Sequence, residues 1–363
     1  GGLRRWRESD AGAGPPTAAV KPAWEVEWEQ VLEAAKREGK VAVAGPDGAG
    51  PRRALTEPFE AKYGIKVEFQ GFQGAEFAAR LREERKASQY LWDVFIGGTT
   101  TMIVNIKPIG DVLEPIEPAM ILPEVKDLKS WREGRLLFFE KDKMGLATHP
   151  YTRAILARNT DLVKPDDVKS YKDLLDPKWK GKITGRDPTV SGPGQASFLF
   201  FYRHPDLGPN FIRTLIKQQE VTFTRDDRQA LESAAQGKYA FVLGFSSTTI
   251  AEMKRQAPSL SIEQMESSKV KEGGDVSTGV ASISRISRPP HPNAAKVYIN
   301  WFLSKEGQSA FSDAINQPSW RADVPWKGEA WLLPRPGAIE TYSEEAQRDK
   351  DPLLAVLQEV SGR

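Results

Sequence analysis

The sequence predicts an α/β protein built as two lobes. Three observations carry that reading. Short apolar runs of strand length alternate with stretches of helical spacing, glycine-rich loops follow several of the runs, and 363 residues suffice for two lobes of ordinary domain size. Hydrophobic content of 39% and charged content of 28% are those of a soluble globular chain.

The first elements can be placed in order. Residues 1–23 are rich in Gly, Ala and Pro and lack apolar periodicity, so a flexible N-terminal tether is expected there. Trp24, Trp28, Val31, Leu32 and Ala35 recur at helical spacing, and Gly39 stands where that helix should end. A buried strand at Lys40 to Ala44 precedes a helix over about 52–62 and a strand at Ile65 to Phe69. A helix over about 75–86 leads to a strand at 92–98. Strands separated by helices imply βαβ units, whose ligands sit beyond the carboxyl ends of the strands. The post-strand loops are therefore the candidate sites. In the first half they are the loop with Gly45, the loop with Phe72 and Gln73, and the run Gly98-Thr99-Thr100-Thr101. Glycine lets a ligand approach the backbone, and hydroxyls are adaptable donors.

In the second half, Met144 to Leu162 reads as a crossover strand followed by a strand of the second lobe. After the strand at Lys182, the loop from Asp187 through Ser191 and Gly192 precedes a helix, whose free amides and dipole suit an anion. A strand ending at Thr224-Arg225, a helix over about 226–236 and a strand at 239–243 follow. Arg225 can grip an anionic group through two parallel hydrogen bonds, and Phe245, Ser246 and Ser247 follow the last of these strands. Residues 278–284 read as a second crossover strand that begins at Thr278, and helices over about 294–302 and 306–315 come after it. The tail from Gln317 carries Trp320, Trp326 and Trp331, which are expected to pin it to the body.

Several function classes are disfavoured. Lys+Arg 51 against Asp+Glu 49 leaves a net charge of +2, without the basic excess of a nucleic-acid surface. The absence of Cys removes disulfides, thiolate metal sites and Cys nucleophiles. No G-x-S-x-G elbow, H-E-x-x-H, P-loop or dinucleotide fingerprint is present, so no enzyme activity and no cofactor are expected. No apolar run approaches the roughly 20 residues of a membrane span.

Two segments carry a family resemblance. YKDLLDPKWKGKITGRDP, residues 171–188, and HPNAAKVYINWFLSKEGQ, residues 291–308, resemble segments of bacterial extracellular solute-binding proteins, the ligand-capturing subunits of ABC importers. The resemblance is to the branch typified by ferric-iron-binding proteins. It implies a two-lobed periplasmic-binding-protein fold of type II, with mixed sheets flanked by helices and two crossover strands as the hinge. The lobes then fall at 24–145 plus 281–316 and at 146–280, with 317–363 as a tail packed on both. The implied partners are a small-molecule solute and a membrane permease, and the implied protein is a periplasmic or extracellular monomer that follows a removed signal peptide or a lipid-bearing Cys. The family's Ser-Gly step, which often grips an anion, matches Ser191-Gly192, and the aromatic or polar residue it often has near the cleft floor matches Tyr151. Its iron-binding tyrosine pair is replaced by Ser246-Ser247 in the run GFSSTT, and with His 3 in the chain little is left to hold a metal. A small organic anion is therefore the expected cargo: a carboxylate, phosphonate or phosphorylated metabolite. A ferric-iron or other metal carrier, a receptor's ligand-sensing partner and, last, a hydrolase are the alternatives.

Overall fold

The computed structural model describes residues 14–16 and 18–362. Residues 1–13 of the expected tether lie outside that range. The chain enters through helix α1 (Ala23–Glu38), which stops at Gly39 in the left-handed conformation (φ 76°). Glycine adopts that conformation without the Cβ clash other residues meet.

The first lobe is organised on a seven-stranded mixed sheet. Its strands are β1 (Lys40–Pro46), β2 (Lys66–Phe72), β3 (Val94–Gly97), β4 (Leu113–Glu114), β5 (Leu137–Phe138) and β6 (Gly145–Ala147), joined late in the chain by a returning strand, Ser282–Ile286. β1 pairs parallel with β2 and β3, as the intervening helices α2 (Ala49–Tyr63) and α3 (Gly74–Lys86) require. The returning strand runs antiparallel between β3 and β6. A single turn, α4 (Pro123–Lys126), lies between β4 and β5.

The chain crosses to the second lobe through β7 (Tyr151–Thr152). There β8 (Leu156–Asn159), β9 (Ile183–Arg186), β10 (Thr222–Thr224), β11 (Phe241–Leu243) and β12 (Ile262–Gln264) form a sheet in the order β10-β9-β11-β8-β12. Helices α5 (Pro193–Arg203), α6 (Gly208–Gln219), α7 (Asp227–Ala235) and α8 (Ser247–Gln256) flank it. The chain returns through β13 (Val276–Ser277), which pairs antiparallel with β7 to make a two-stranded hinge. The returning lobe-1 strand is β14 (Ser282–Ile286), and α9 (Pro292–Leu303) and α10 (Lys305–Ile315) follow it. Two sheets, each with its own helices, and a pair of crossings agree with the expected fold class.

In the segment Tyr171–Pro188, 3₁₀ turns form at Tyr171–Leu175 and Pro177–Trp179. Asp176 caps the second turn by accepting from Lys178 N at 3.0 Å, and Pro177 cannot extend a helix that arrives from before it.

Each lobe has its own core. Phe59, Phe77, Tyr298 and Trp301 centre the first, and Phe198, Phe200, Phe201 and Phe241 the second. Phe77 and Phe95 stack at 5.0 Å between ring centroids, and Phe59 meets Tyr298 edge-on at 5.0 Å. Aromatic pairs of this kind add to the burial of their area.

The tail makes a third crossing. Arg321, 1% exposed, donates to the carbonyls of Glu124 and Leu303 at 2.9 and 3.0 Å and pairs with Asp323, locking the tail onto lobe 1. Trp320 Nε1 donates to the Arg135 carbonyl at 2.9 Å, while Trp331 packs against a satellite cluster of lobe 2. Beyond these anchors the tail runs along the hinge: Val276 N donates to Ile339 O at 3.0 Å and Thr341 N to Val276 O at 3.1 Å. It then forms α11 (Glu344–Arg348) and α12 (Lys350–Ser361), which bury Ala346, Leu353, Val356 and Leu357 in the lobe-2 core. Among the described residues no helix is long and apolar enough to cross a membrane.

Candidate functional site

A cleft of about 200 Å³ opens where both lobes, the hinge and the tail meet. Lobe 1 supplies Gly98, Thr99 and Thr100. Lobe 2 supplies Ser191, Gly192 and Gln195, and the hinge supplies Arg153, Ser277, Thr278 and Gly279. The tail supplies Thr341, Tyr342, Gln347 and Lys350.

Local structure explains the lobe-1 wall. After β3 the chain passes Gly98, where an added Cβ would lie 3.3 Å from the carbonyl of Gly279. Two glycines therefore let lobe 1 meet the hinge backbone. Residues Thr101–Ile106 then form a π-helical turn, and no threonine side chain caps it. Rare turns of this kind are frequent at functional sites. The hydroxyls are left free for other partners: Thr99 is buried at the cleft wall, and Thr100 accepts from Gln347 Nε2 at 3.4 Å. Thr101 turns away under α3, where its Oγ1 occupies the space a Cβ on Gly74 would need.

The lobe-2 wall is the start of α5. Gly192, with φ 145°, precedes Pro193 at the first helical position. Gly194 packs so closely on β9 that a Cβ there would meet the Arg186 carbonyl at 2.3 Å. That contact fixes the helix start against the sheet edge, with Gly192 and Gln195 at the cleft wall. Gln195 is 7% exposed and lines the cleft, and its amide has no hydrogen-bond partner among the described residues.

The hinge floor is ionic. Arg153 Nε donates to Asp275 Oδ2 at 3.0 Å, and Arg153 N bonds the Asp275 carbonyl at 2.9 Å. Thr341 Oγ1 donates to the same Oδ2 at 3.2 Å, so one carboxylate ties β7, β13 and the tail together. Asp275 Oδ1 is buried with no partner among the described residues. Burial lowers the basicity of Arg153, but the Asp275 charge beside it outweighs that and leaves its pKa raised. Burial, reinforced by the Glu340 charge, also raises the pKa of the Tyr342 phenol, which keeps it a neutral donor. Glu340 itself is occupied, accepting from Tyr342 N at 2.9 Å and from Ser343 Oγ at 2.6 Å.

The residues expected from sequence divide into two groups. Gly98, Thr99, Thr100, Ser191, Gly192 and Thr278 come together in the cleft, and Tyr151 lies beside it on β7, its burial raising the phenol pKa. The others lie elsewhere. Phe72 is 7% exposed and packs on Phe77 and Trp92 at 5.3 and 5.5 Å, so it is core and not a ligand wall. Phe245 is likewise core, in the satellite cluster with Leu231 and Ile250. Gly45 lies against the Phe69 ring, which explains its lack of a side chain, and Gln73 spends its amide on Asp47 at 2.8 Å.

Asp187, Thr224, Arg225, Ser246 and Ser247 gather at the carboxyl edge of the lobe-2 sheet, outside the 200 Å³ cleft. Several of their polar groups are engaged by neighbouring side chains. Arg225 is 77% exposed and pairs with Asp187 at 3.6 Å, and Asp187 also accepts from Thr189. Burial would raise the Asp187 pKa, but the Thr189 bonds and the Arg225 charge lower it on balance. Thr224 Oγ1 donates to Gln229 at 2.6 Å, and Ser246 N donates to Asp227 at 3.0 Å.

Sequence reasoning missed Arg153, Gln195, Gln347 and Lys350. Gln195 was legible as a polar residue in the first turn of an apolar helix. The tail residues carried no local signal, since only the third crossing brings them to the cleft. A larger cavity, about 750 Å³, lies behind the hinge between Glu266–Gly274 and Glu329–Ala338. It mixes Glu266, Glu272 and Glu329 with Lys271 and Arg335, and lobe 1 contributes nothing to it. The smaller cleft is the better candidate because both lobes line it.

Comparisons with known proteins agree with this architecture. Similar solved structures include a ferric iron-binding protein A of Mannheimia haemolytica in an open conformation, with a TM-score of 0.67 at 15% identity over 89% of this chain and 98% of that one. A Trichodesmium protein (IdiA, FutA) in complex with iron and citrate gives 0.64 at 18%, over 89% and 99%. The periplasmic binding protein AfuA of Actinobacillus pleuropneumoniae, with fructose-6-phosphate bound, gives 0.55 at 18%, over 88% and 98%. At these identities the likeness is one of fold. The family model described as "Bacterial extracellular solute-binding protein" matches residues 54–331. The chain therefore belongs to the bacterial extracellular solute-binding proteins, a family of periplasmic, ABC-transporter-type binding proteins.

Proposed function

We propose that this protein captures a small organic anion between its lobes and presents it to a membrane permease. One observation carries the reading. The cleft lining holds two cationic side chains, Arg153 and Lys350, and among the described residues no carboxylate lines it. Helix-start amides, hydroxyls and a neutral phenol complete a set of donors, which is what an oxyanion needs. No group of three or more His, Asp or Glu able to hold a metal ion occurs among the described residues. Of the similar proteins, the Trichodesmium one is in complex with iron and citrate and AfuA has fructose-6-phosphate bound, so an organic anion has a precedent on this fold.

The mechanism needs no covalent step, and no enzyme activity is proposed. The solute's charged group binds at the start of α5, and Thr99 and Thr100 meet it from lobe 1 as the hinge closes. Contacts made only in the closed form shift the population toward it. The protein acts as a monomer outside the cytoplasm.

A thermal-shift screen tests this reading. Glycerol 3-phosphate, succinate, methylphosphonate and ferric citrate are compared at equal concentration. At ligand concentrations about 100 times Kd, a specific ligand adds about 2.7 kcal/mol of stability. An iron-free anion is expected to raise Tm. A rise with ferric citrate alone would contradict the proposal.

A further inference from the structure

Lys350 is placed where a lysine is electrostatically uncomfortable. It is the first residue of α12, at the positive end of the helix dipole, where cations are disfavoured. It is partly buried, and its ammonium has neither an ion-pair nor a hydrogen-bond partner among the described residues. The neighbouring Asp349 is already committed to Arg203. Burial lowers the Lys350 pKa with no compensating carboxylate. An unpaired, partly desolvated cation is costly to keep unless something that binds there offsets it.

Three further facts place the missing counter-charge. Lys350 lines the interlobe cleft together with the start of α5. Gln195, 7% exposed, turns an unpartnered amide into the same space. Gln347, one turn before Lys350, has a buried Oε1 with no partner among the described residues, so it can accept from a solute hydroxyl. The other cleft cation, Arg153, is largely neutralised by Asp275, which leaves Lys350 as the uncompensated charge.

We infer that Lys350 is the charge anchor of the solute, gripping a phosphoryl or carboxylate group jointly with Gln195 and the start of α5, so that the C-terminal helix is part of the binding site. This rests on the anion reading above and assigns the group that supplies its charge. The cleft measures about 200 Å³, which suits a compact metabolite. Gln347 reaching from the tail to Thr100 of lobe 1 would let α12 register the solute as the lobes close.

Isothermal titration of the full chain with glycerol 3-phosphate and with succinate separates the cases. Wild type is expected to bind at least one of them. Lys350→Met and Lys350→Gln should weaken that binding roughly 10- to 100-fold, the range for losing a charged hydrogen bond. Lys350→Arg should retain most of it. All three variants should melt no lower than wild type, because an unpaired cation at a helix start is being replaced or retained, so weakened binding cannot be ascribed to unfolding. Lys271→Met, in the cavity behind the hinge, should bind as wild type does. Which probe responds tells a phosphoryl anchor from a carboxylate one. Unchanged binding in Lys350→Met would overturn this assignment while leaving the anion reading intact. If wild type binds neither probe, both are overturned.

Discussion

Replacing Asp275 with Ala is expected to destabilise the protein by about 3–5 kcal/mol, the cost typical of breaking a buried ion pair from one side. The carboxylate is fully buried and holds Arg153 Nε at 3.0 Å and Thr341 Oγ1 at 3.2 Å. Its removal leaves a desolvated guanidinium on the hinge and takes away the side-chain bond that Thr341 of the tail makes there. Urea denaturation followed by circular dichroism measures the effect. The double variant Arg153→Met, Asp275→Leu supplies the contrast. It removes both charges, so it is expected to regain most of the lost stability while still losing solute affinity, since Arg153 lines the cleft. A double variant as unstable as Asp275→Ala would mean that Asp275 acts through something other than its pairing with Arg153.

Acid is expected to weaken the protein through His149. That residue is fully buried, with Nε2 3.2 Å from the Gln308 carbonyl and Nδ1 2.9 Å from Thr148 Oγ1, and its ring packs edge-on against Phe311. These contacts fit a neutral ring that donates from Nε2. Burial pushes its pKa down from 6.5 to about 4, against a smaller upward pull from the Gln308 bond. The unfolded chain therefore takes up this proton at a higher pH than the folded one. Stability from this residue is fully present above about pH 6.5 and is lost as pH falls toward 4, by about 3 kcal/mol in all. His149→Gln should remove that part of the pH dependence. Denaturation midpoints measured between pH 7 and pH 4 test it, and an unchanged slope in the variant would assign the loss to other groups.

The fold was legible because its elements follow local rules. Gly39 ends α1 in the left-handed conformation, and the strands at 40–46 and 94–97 are apolar runs closed by glycine or proline. The cleft was half legible, since Thr99 and Ser191-Gly192 lie in loops at strand ends and helix starts. The misplacements share a cause. Phe72 and Phe245 stand beside such loops but carry too much apolar surface to leave the core, and proximity in sequence cannot report which way a ring turns. Arg225 and Ser246 do lie at the correct sheet edge, but Asp187 pairs with Arg225 and Thr248 engages the Ser246 hydroxyl. Arg153, Gln347 and Lys350 depend on contacts between segments more than a hundred residues apart. Leu353, Val356 and Leu357 recur at helical spacing in the helix that carries Lys350, a signal left unread in the tail.

The central claim is that the cleft holds an organic anion without metal. Native mass spectrometry tests it most directly, with the protein incubated in an equimolar mixture of ferric citrate, glycerol 3-phosphate, succinate and methylphosphonate and then desalted. The account predicts a retained mass equal to one organic anion, absent from Lys350→Met. Retention of one iron atom per chain, with a visible absorbance band and undiminished in Lys350→Met, would contradict it.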